Sequence, residues 1–396
     1  MELVAEKYKQ TEIGLIPENW ELKAIGDIFT FYSTSNYSKA EMTLDGEVGC
    51  VHYGLIHAMD NTSFSLKNGV KYYVAKEQAK YETLQNGDVV MVDASEDLVG
   101  LNKSVEVSGI IDKEYIAGLH TFHLRDKNAI YIDSLRGLIL NSEAVKKQML
   151  RVAVGMKVFG VSKLQLQQIF VPVPTKAEQT AIATALSDAD ALISSLEKLI
   201  AKKRNIKQGA MQKLFSTGNL QELRLDEIVV IKKGEQLNKS DMSDKGTYPA
   251  LNGGIEPSGY TDKWNTEKDV ITISEGGNSC GFVNFSTERF WLGGHCYAIE
   301  LIDAKFPKIY LYQYLKFSQK QIMELRVGSG LPNIQKTALN NFKMKINKSH
   351  DEKIKVANCL NDMDAEINVL GTKLEKYKKV KLGMMQNLLT GKIRLV

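Results

Sequence analysis

The chain is written twice, and nothing else in its 396 residues constrains the fold as strongly. A repeat settles architecture before any single motif is weighed, because each copy must fold into the same kind of unit. Val154-Gly155 matches Val327-Gly328, 173 positions on. At that offset Val161 meets Ile334, Lys163 meets Lys336, Leu166 meets Leu339, Ile169 meets Phe342, Val171 meets Met344 and Val173 meets Ile346. One inserted residue makes the offset 174. Leu186, Asp188, Asp190, Ile193, Leu196 and Gly209 then meet Leu360, Asp362, Asp364, Ile367, Leu370 and Gly383, and the run at Met211–Leu214 meets Met385–Leu388. Upstream, Gly118-Leu119-His120-Thr121-Phe122 resembles Gly293-Gly294-His295-Cys296-Tyr297, and Asp88-Val89-Val90 resembles Asp269-Val270-Ile271. The order is globular part, helix, globular part, helix.

The helical parts are legible from spacing. Apolar residues recur alternately four and three apart through Ile182, Leu186, Ala189, Ile193, Leu196 and Ile200, continuing at Lys203, Lys207, Ala210 and Leu214. The second copy runs Val356, Leu360, Met363, Ile367, Leu370, Leu374, Tyr377, Lys381, Met384, Leu388. This is a coiled-coil seam, and the two stripes are expected to pack on each other. Pro172 and Pro174 block helix before the first stripe, and Gly218 and Gly391 punctuate the ends. About 40 residues of helix make a rod of roughly 60 Å.

The globular parts read as strand-rich. Val89–Val92, Tyr72–Val74, Val270–Ile273 and Phe282–Phe285 are β-branched or aromatic runs between Gly and Asn turns. Each part also carries one helix candidate, Ser134–Met149 and Lys308–Leu325. The predicted class is α+β, with two similar globular domains at 1–174 and 218–348, a central helix at 175–217 and a C-terminal helix at 349–396. A compact domain keeps its termini near each other. The second domain leaves the end of the first helix and returns to the start of the second, so the helices are expected to run antiparallel, with one domain at each end.

Composition excludes several alternatives. Hydrophobic residues are 43% and charged residues 25%, near globular averages. Mean hydropathy is −0.22, and no apolar run approaches the ~18 residues of a membrane span. The opening Met1–Lys7 lacks a signal-peptide pattern, so an intracellular, cytoplasmic protein is expected. Lys plus Arg is 51 against 47 for Asp plus Glu, a net charge of +4 that permits a nucleic-acid partner without demonstrating one. Cys50, Cys280, Cys296 and Cys359 form no CxxC pair, so no zinc ribbon or disulfide framework is indicated. There is no GxxxxGK[ST] phosphate loop and no GxGxxG after a strand. The seven prolines are never adjacent, which excludes the Pro-Pro-aromatic segment of an amino-methyltransferase.

Several short motifs occur in a fixed order. The first domain opens with a segment from Gly14 through Pro17 and Trp20 to Gly26, Asp27 and Ile28. Asn86-Gly87-Asp88, Gly160-Val161-Ser162-Lys163 and Ile169–Pro174 running into Glu178-Gln179 come after it. The second domain carries Tyr248-Pro249, Gly253-Gly254-Ile255, Phe290-Trp291 and Gly328–Pro332. In this order, doubled with intervening helices, the sequence resembles the specificity subunits of type I restriction–modification systems. The second copy, Phe342–Asn347, departs by lacking the two prolines and the Glu-Gln pair, which loosens the start of its helix. The resemblance implies two target-recognition domains, each reading one half of a split, asymmetric DNA site. It implies helices that set the spacing and dock two methyltransferase subunits carrying S-adenosylmethionine. Restriction subunits using ATP and Mg2+ would join them, and the chain itself would hold no catalytic site, cofactor or metal.

Phosphate contacts position a protein on DNA, and base-edge contacts specify sequence. The candidate contacts are polar or aromatic residues in loops. In the first domain they are Tyr32, Asn36, Tyr37, Lys39, Asn102, Lys103, Lys157 and Lys163. In the second they are Lys232, Lys233, Asn238, Lys239, Asn252, Asn278, Ser279, Asn333, Gln335 and Lys336. Lys163 and Lys336 occur in both repeats, which suits phosphate, the part of DNA that does not vary with sequence. Four patterns have a plainer reading. Gly277-Asn278-Ser279-Cys280-Gly281 fits a nucleophile elbow, but the adjoining run Phe282–Phe285 reads as strand rather than helix. His52, His57, His120 and His123 read as core or surface histidines, although His120 and His123 could edge a metal. Asp93–Asp97 reads as a solvated turn, or as an acceptor for the amino group of cytosine. Lys373, Lys376, Lys378, Lys379 and Lys381 read as the wet face of a helix, with phosphate or partner contact as the second reading. Two further classes stay open: a coiled-coil scaffold whose heads bind proteins or glycans, and an enzyme with an unrecognised site.

Overall fold

The computed structural model describes residues 7–59, 61–98, 100–328 and 330–396. Residues 1–6, on which the expectation about a signal peptide rests, and Ser329 of the Gly328–Pro332 motif lie outside them. The described residues up to Ser195 form one unit with Glu375–Val396, and Leu196–Leu374 form the other.

In the first unit a five-stranded sheet has the spatial order Phe29–Tyr32, Thr121–Asp126, Val89–Val92, Ser104–Ser108, Ser63–Ser65. The central strand Val89–Val92 is an uninterrupted apolar run because both its faces are covered, so all four residues are buried. A three-stranded sheet has the order Glu114–Ala117, Val48–Val51, Tyr73–Val74. Phe170–Val173 pairs antiparallel with Glu21–Ala24 and leads into the first long helix.

The second unit has the same plan. Its four-stranded sheet runs Val229–Lys233, Cys296–Leu301, Val270–Ser274, Val283–Ser286. Its three-stranded sheet runs Trp291–Leu292, Tyr248–Leu251, Tyr260–Thr261. In each three-stranded sheet one pairing is parallel and the other antiparallel. Leu220–Arg224 pairs antiparallel with Lys343–Asn347 ahead of the second long helix. The repeat in the sequence is thus a repeat of strand order.

The two shorter helix candidates are each broken. The first becomes Arg136–Leu140 and Glu143–Val152, because Ser142 adopts an extended conformation and caps the second piece by accepting from Val145 N–H. The other becomes Lys308–Phe317 and Gln319–Glu324, interrupted at Ser318.

The long helices span Lys176–Ser216 and His350–Leu388. Both start with the same device. Thr175 Oγ1 accepts from Glu178 N–H at 3.4 Å, and Ser349 Oγ accepts from Glu352 N–H at 3.3 Å. A hydroxyl cap with Glu three residues on is a strong helix-start signal. It corrects the sequence reading, which looked only for prolines and the Glu-Gln pair. Ser349 and Glu352 do the work of Thr175 and Glu178, while Lys353 replaces Gln179.

Within each unit the helices run side by side and antiparallel. In the first, Ile182 and Leu186 share a core with Leu388 and Leu389, and Lys381 Nζ meets Asp190 Oδ1 at 2.5 Å. In the second, Met211 and Phe215 share a core with Val356 and Leu360, and Lys207 Nζ meets Asp364 Oδ1 at 2.6 Å. Leu186, Leu196, Ile200 and Leu360 are buried, and Ile193, Ile367, Leu370 and Leu374 are half-buried. Lys381 corrects another expectation: it lies against Asp190, not on the wet face, whereas Lys373, Lys376, Lys378 and Lys379 are exposed.

The C-terminal segment is tied into the first unit. Glu178, 2% exposed, accepts from Trp20 Nε1 at 2.8 Å and from Arg394 at 2.6 Å. Among the described residues no helix is long and apolar enough to cross a membrane.

Candidate nucleic-acid interface

Each unit builds one loop in the same way. Val154 and Gly160 form an isolated antiparallel bridge, and so do Val327 and Asn333, 173 positions on. Gly155 and Gly328 take positive φ, 143° and 96°, inside the two loops, which a side chain would strain. Directly after the bridge comes a short helix whose first residue is Lys163 in one unit and Lys336 in the other. Both lysines are exposed, as are Lys157, Asn333 and Gln335 around them.

A carboxylate sits at the foot of each loop. The strand Val89–Val92 is followed by Asp93, whose carbonyl accepts from Val161 N–H at 3.0 Å. The strand Val270–Ser274 is followed by Glu275, whose carbonyl accepts from Ile334 N–H at 2.8 Å. Each carboxylate faces a histidine in the turn just ahead of the neighbouring strand: His120 Nδ1 is 3.5 Å from Asp93, and His295 Nδ1 is 4.0 Å from Glu275. Burial pushes the Asp93 carboxyl up from its ordinary range against the pull of His120. Glu275 also takes Lys233 Nζ at 2.6 Å and the Tyr297 hydroxyl at 2.9 Å. His120 adopts φ 56°, an uncommon conformation for a residue with a side chain.

Other candidate residues are committed to the fold. Asn102 is 4% exposed, and its amide donates to Leu140 O at 3.1 Å, so it is removed from any DNA surface. Asn252 Oδ1 accepts from His295 N–H at 3.2 Å and steadies the Gly293-Gly294 turn. Tyr32 ends a strand rather than lying in a loop, and its ring carries the Arg125 guanidinium 4.7 Å from its centre. Lys103 donates to His57 O at 2.7 Å, and Lys232 pairs with Glu300 at 2.6 Å. These residues stood beside glycines or between strand signals, and a fold uses polar side chains there as readily as a ligand does.

The remainder stay available. Asn36, Lys39, Asn238, Lys239 and Asn278 are exposed, with Tyr37 and Ser279 half-buried. Tyr37 donates to Gln78 O at 2.9 Å, Asn36 accepts from Tyr81 at 3.4 Å, and Asn238 precedes the turn Lys239–Asp241.

The histidines do not gather around a metal. His123 is fully buried, with Nε2 2.7 Å from Asp88, while His120 is at the surface beside Asp93. Among the described residues no group of three or more His, Cys, Asp or Glu side chains could hold a metal ion. Asp88, from the Asn86-Gly87-Asp88 motif, also takes Arg125 Nε at 2.9 Å and Nη2 at 2.8 Å. That motif therefore serves the core. The stretch Gly277–Gly281 leads into the strand Val283–Ser286, without the helix a nucleophile elbow needs. In the acidic turn, Asp97 accepts from Gly100 N–H at 2.7 Å. Sequence reasoning passed over Lys71 and Tyr72, which the fold brings beside Lys39; their adjacency in sequence was the available signal.

Comparison with known proteins places this geometry in a class. The model of the type I restriction modification DNA specificity domain matches the chain twice, over residues 17–208 and 218–379. The chain belongs to the type I restriction–modification DNA specificity family. A protein named as a type I specificity subunit in Mycoplasma genitalium is 31% identical over 170 residues, which cover 43% of this chain and 44% of that one. The chain thus spans under half the length of that relative. A protein named as a type I restriction enzyme specificity subunit in Methanocaldococcus jannaschii is 26% identical, with 98% of this chain and 97% of that one covered. The crystal structure of the type I S subunit from M. genitalium shares the fold, with TM-score 0.61, 21% identity, and 93% and 96% of the two chains covered.

Proposed function

We propose that this chain is the non-catalytic DNA specificity subunit of a type I restriction–modification complex. Each globular unit reads one half of a bipartite, asymmetric site in double-stranded DNA. The long helices set the number of unread base pairs and dock two methyltransferase subunits. S-adenosylmethionine sits on those partners, and ATP with Mg2+ on restriction subunits. The chain directs adenine methylation and restriction in the cytoplasm without performing either. The recognition domains occupy 1–174 and 218–348, and the spacer helices 175–217 and 349–396.

One observation carries the reading: the main sheets of the two units share one order over four strands, and each unit presents the same bridged loop with a lysine opening the helix behind it. Two copies of one recognition plan suit two half-sites. Sequence-independent contacts belong where both copies agree, and sequence-reading contacts where they differ. The scaffold alternative draws no support from the family match.

The test is biochemical. Purified alone, the chain neither methylates nor cuts DNA. With methyltransferase partners added, duplex DNA carrying its site is methylated. Methyl transfer by the isolated chain, free of contaminating subunit, would overturn the non-catalytic assignment.

A further inference from the structure

The first unit holds a cleft of about 450 Å³ lined by Ser38, Lys39, His52, Tyr53, Lys71 and Tyr72, among others. Lys39 Nζ lies 5.7 Å and Lys71 Nζ 5.5 Å from the centre of the Tyr72 ring. Neither ammonium has a carboxylate partner among the described residues. Glu41, on the neighbouring turn, is held by Ser38 N–H at 2.8 Å and by the Ser38 hydroxyl at 2.6 Å. The local charge is therefore positive. Consistent with that, the hydrogen bond with Lys39 holds the Tyr72 hydroxyl below its ordinary range.

His52 completes the arrangement. The residue is 7% exposed. Its Nδ1 accepts from Gly54 N–H at 3.1 Å, capping the helix Tyr53–His57. An acceptor at Nδ1 places the proton of the neutral ring on Nε2. Burial, with Lys39 adding to it, holds the imidazole below its ordinary range, so the neutral form persists. Nε2–H is therefore a donor, and it is buried without any partner. Buried donors are nearly always satisfied, and an unsatisfied one beside two cations that lack a carboxylate partner marks a place for an acceptor oxygen.

We infer that this cleft seats one phosphate of the DNA backbone, with His52 Nε2–H donating to a phosphate oxygen and Lys39 and Lys71 flanking it. The inference rests on the DNA-specificity reading and adds residues to it: His52, Lys71 and Tyr72 join Tyr37 and Lys39. The seat is private to the first unit. The strand Tyr248–Leu251 occupies the place of Val48–Val51, and Asn252, the next residue, spends its side chain on His295.

The full chain labelled with 15N-histidine tests this. The His52 Nε2 resonance is followed on adding duplex DNA and, separately, inorganic phosphate. The seat predicts a downfield shift of the Nε2 proton with DNA. It also predicts that Lys39→Ala with Lys71→Ala lowers affinity about tenfold for specific and non-specific duplexes alike. The slope of log affinity against log salt should fall by about one. Both lysines are exposed, so unchanged thermal unfolding of the variant shows that the fold is intact. A His52 signal moved by inorganic phosphate but not by DNA would overturn the assignment to the backbone. So would a parent chain that binds duplex with His52 unmoved, or a double variant with the parent's affinity and salt slope; either leaves the specificity reading standing. A parent chain that binds no duplex, even with its methyltransferase partners, sinks that reading and the inference with it.

Discussion

Lys207 and Asp364 join the two long helices of the second unit through a 2.6 Å ion pair, and Lys381 with Asp190 is the same pair displaced by 174 residues at each partner. Asp190 and Asp364 met in the sequence alignment, but Lys207 read as a continuation of the apolar stripe and Lys381 also as part of a wet helix face. A polar residue in a seam fixes register at some cost in stability, because only one alignment satisfies it. The pair in the second unit is also tied to its globular part, since Gln313 Nε2 donates to Asp364 Oδ2 at 2.7 Å.

Removing one partner should be worse than exchanging both. The Lys207 and Asp364 side chains are 13% and 33% exposed, so solvent screens the pair in part. Lys207→Met is expected to lower the unfolding free energy by about 1–2 kcal/mol. Lys207→Asp combined with Asp364→Lys should recover most of the loss. Urea unfolding of the two single charge changes and the double variant gives the coupling. Purely additive effects would show that the pair sets no register.

Asp88 gives a pH dependence. Burial alone would raise its carboxyl, but bonds from His123, Arg125 and Gln85 N–H outweigh burial and hold it below the usual aspartate range. A carboxyl lowered on folding binds protons in the unfolded chain first. Its stabilisation is therefore complete above the ordinary value of about 3.9 and is lost as pH falls through the lower folded value. Asp88→Asn should destabilise the protein by about 2 kcal/mol at pH 7. The difference from the parent should shrink as pH is taken toward 3. A gap that stays constant over that range would contradict the linkage.

The helices give a length prediction. Four residues inserted after Ile200 add ~6 Å and nearly keep the seam in register. At ~3.4 Å per base pair, the unread gap should lengthen by one to two base pairs, with both specified halves intact. Two inserted residues turn the seam by ~200° and should abolish activity. Sequencing the sites methylated by active four-residue variants checks this, and an unchanged gap would reduce the helices to connectors.

The helical seam was legible because the signal is local: alternating steps of four and three point one stripe inward whatever surrounds it. The doubling was legible where the copies keep an offset of 173 and then 174, from Val154 to Leu214. Strand order was not. The matching strands Phe29–Tyr32 and Val229–Lys233 stand 200 residues apart, while Thr121–Asp126 and Cys296–Leu301 stand 175 apart, so insertions between strands blur the alignment. Individual contact residues were the least legible. Asn102 and Asn278 each stand close to a glycine, yet one is sealed under Leu140 and the other is exposed. His52 read as a core or surface histidine like the other three. Only geometry shows that one ring nitrogen is spent on Gly54 and the other is left without a partner.

The central claim is that each unit reads its own half of one DNA site. The most direct measurement is a genome-wide map of methylated adenine in cells co-expressing this chain with its methyltransferase partners, repeated after residues 219–348 are exchanged for those of a relative. The account predicts a bipartite site with a fixed unread gap, in which the exchange alters one half and leaves the other half and the gap unchanged. A continuous site, or an exchange that alters both halves, would contradict it.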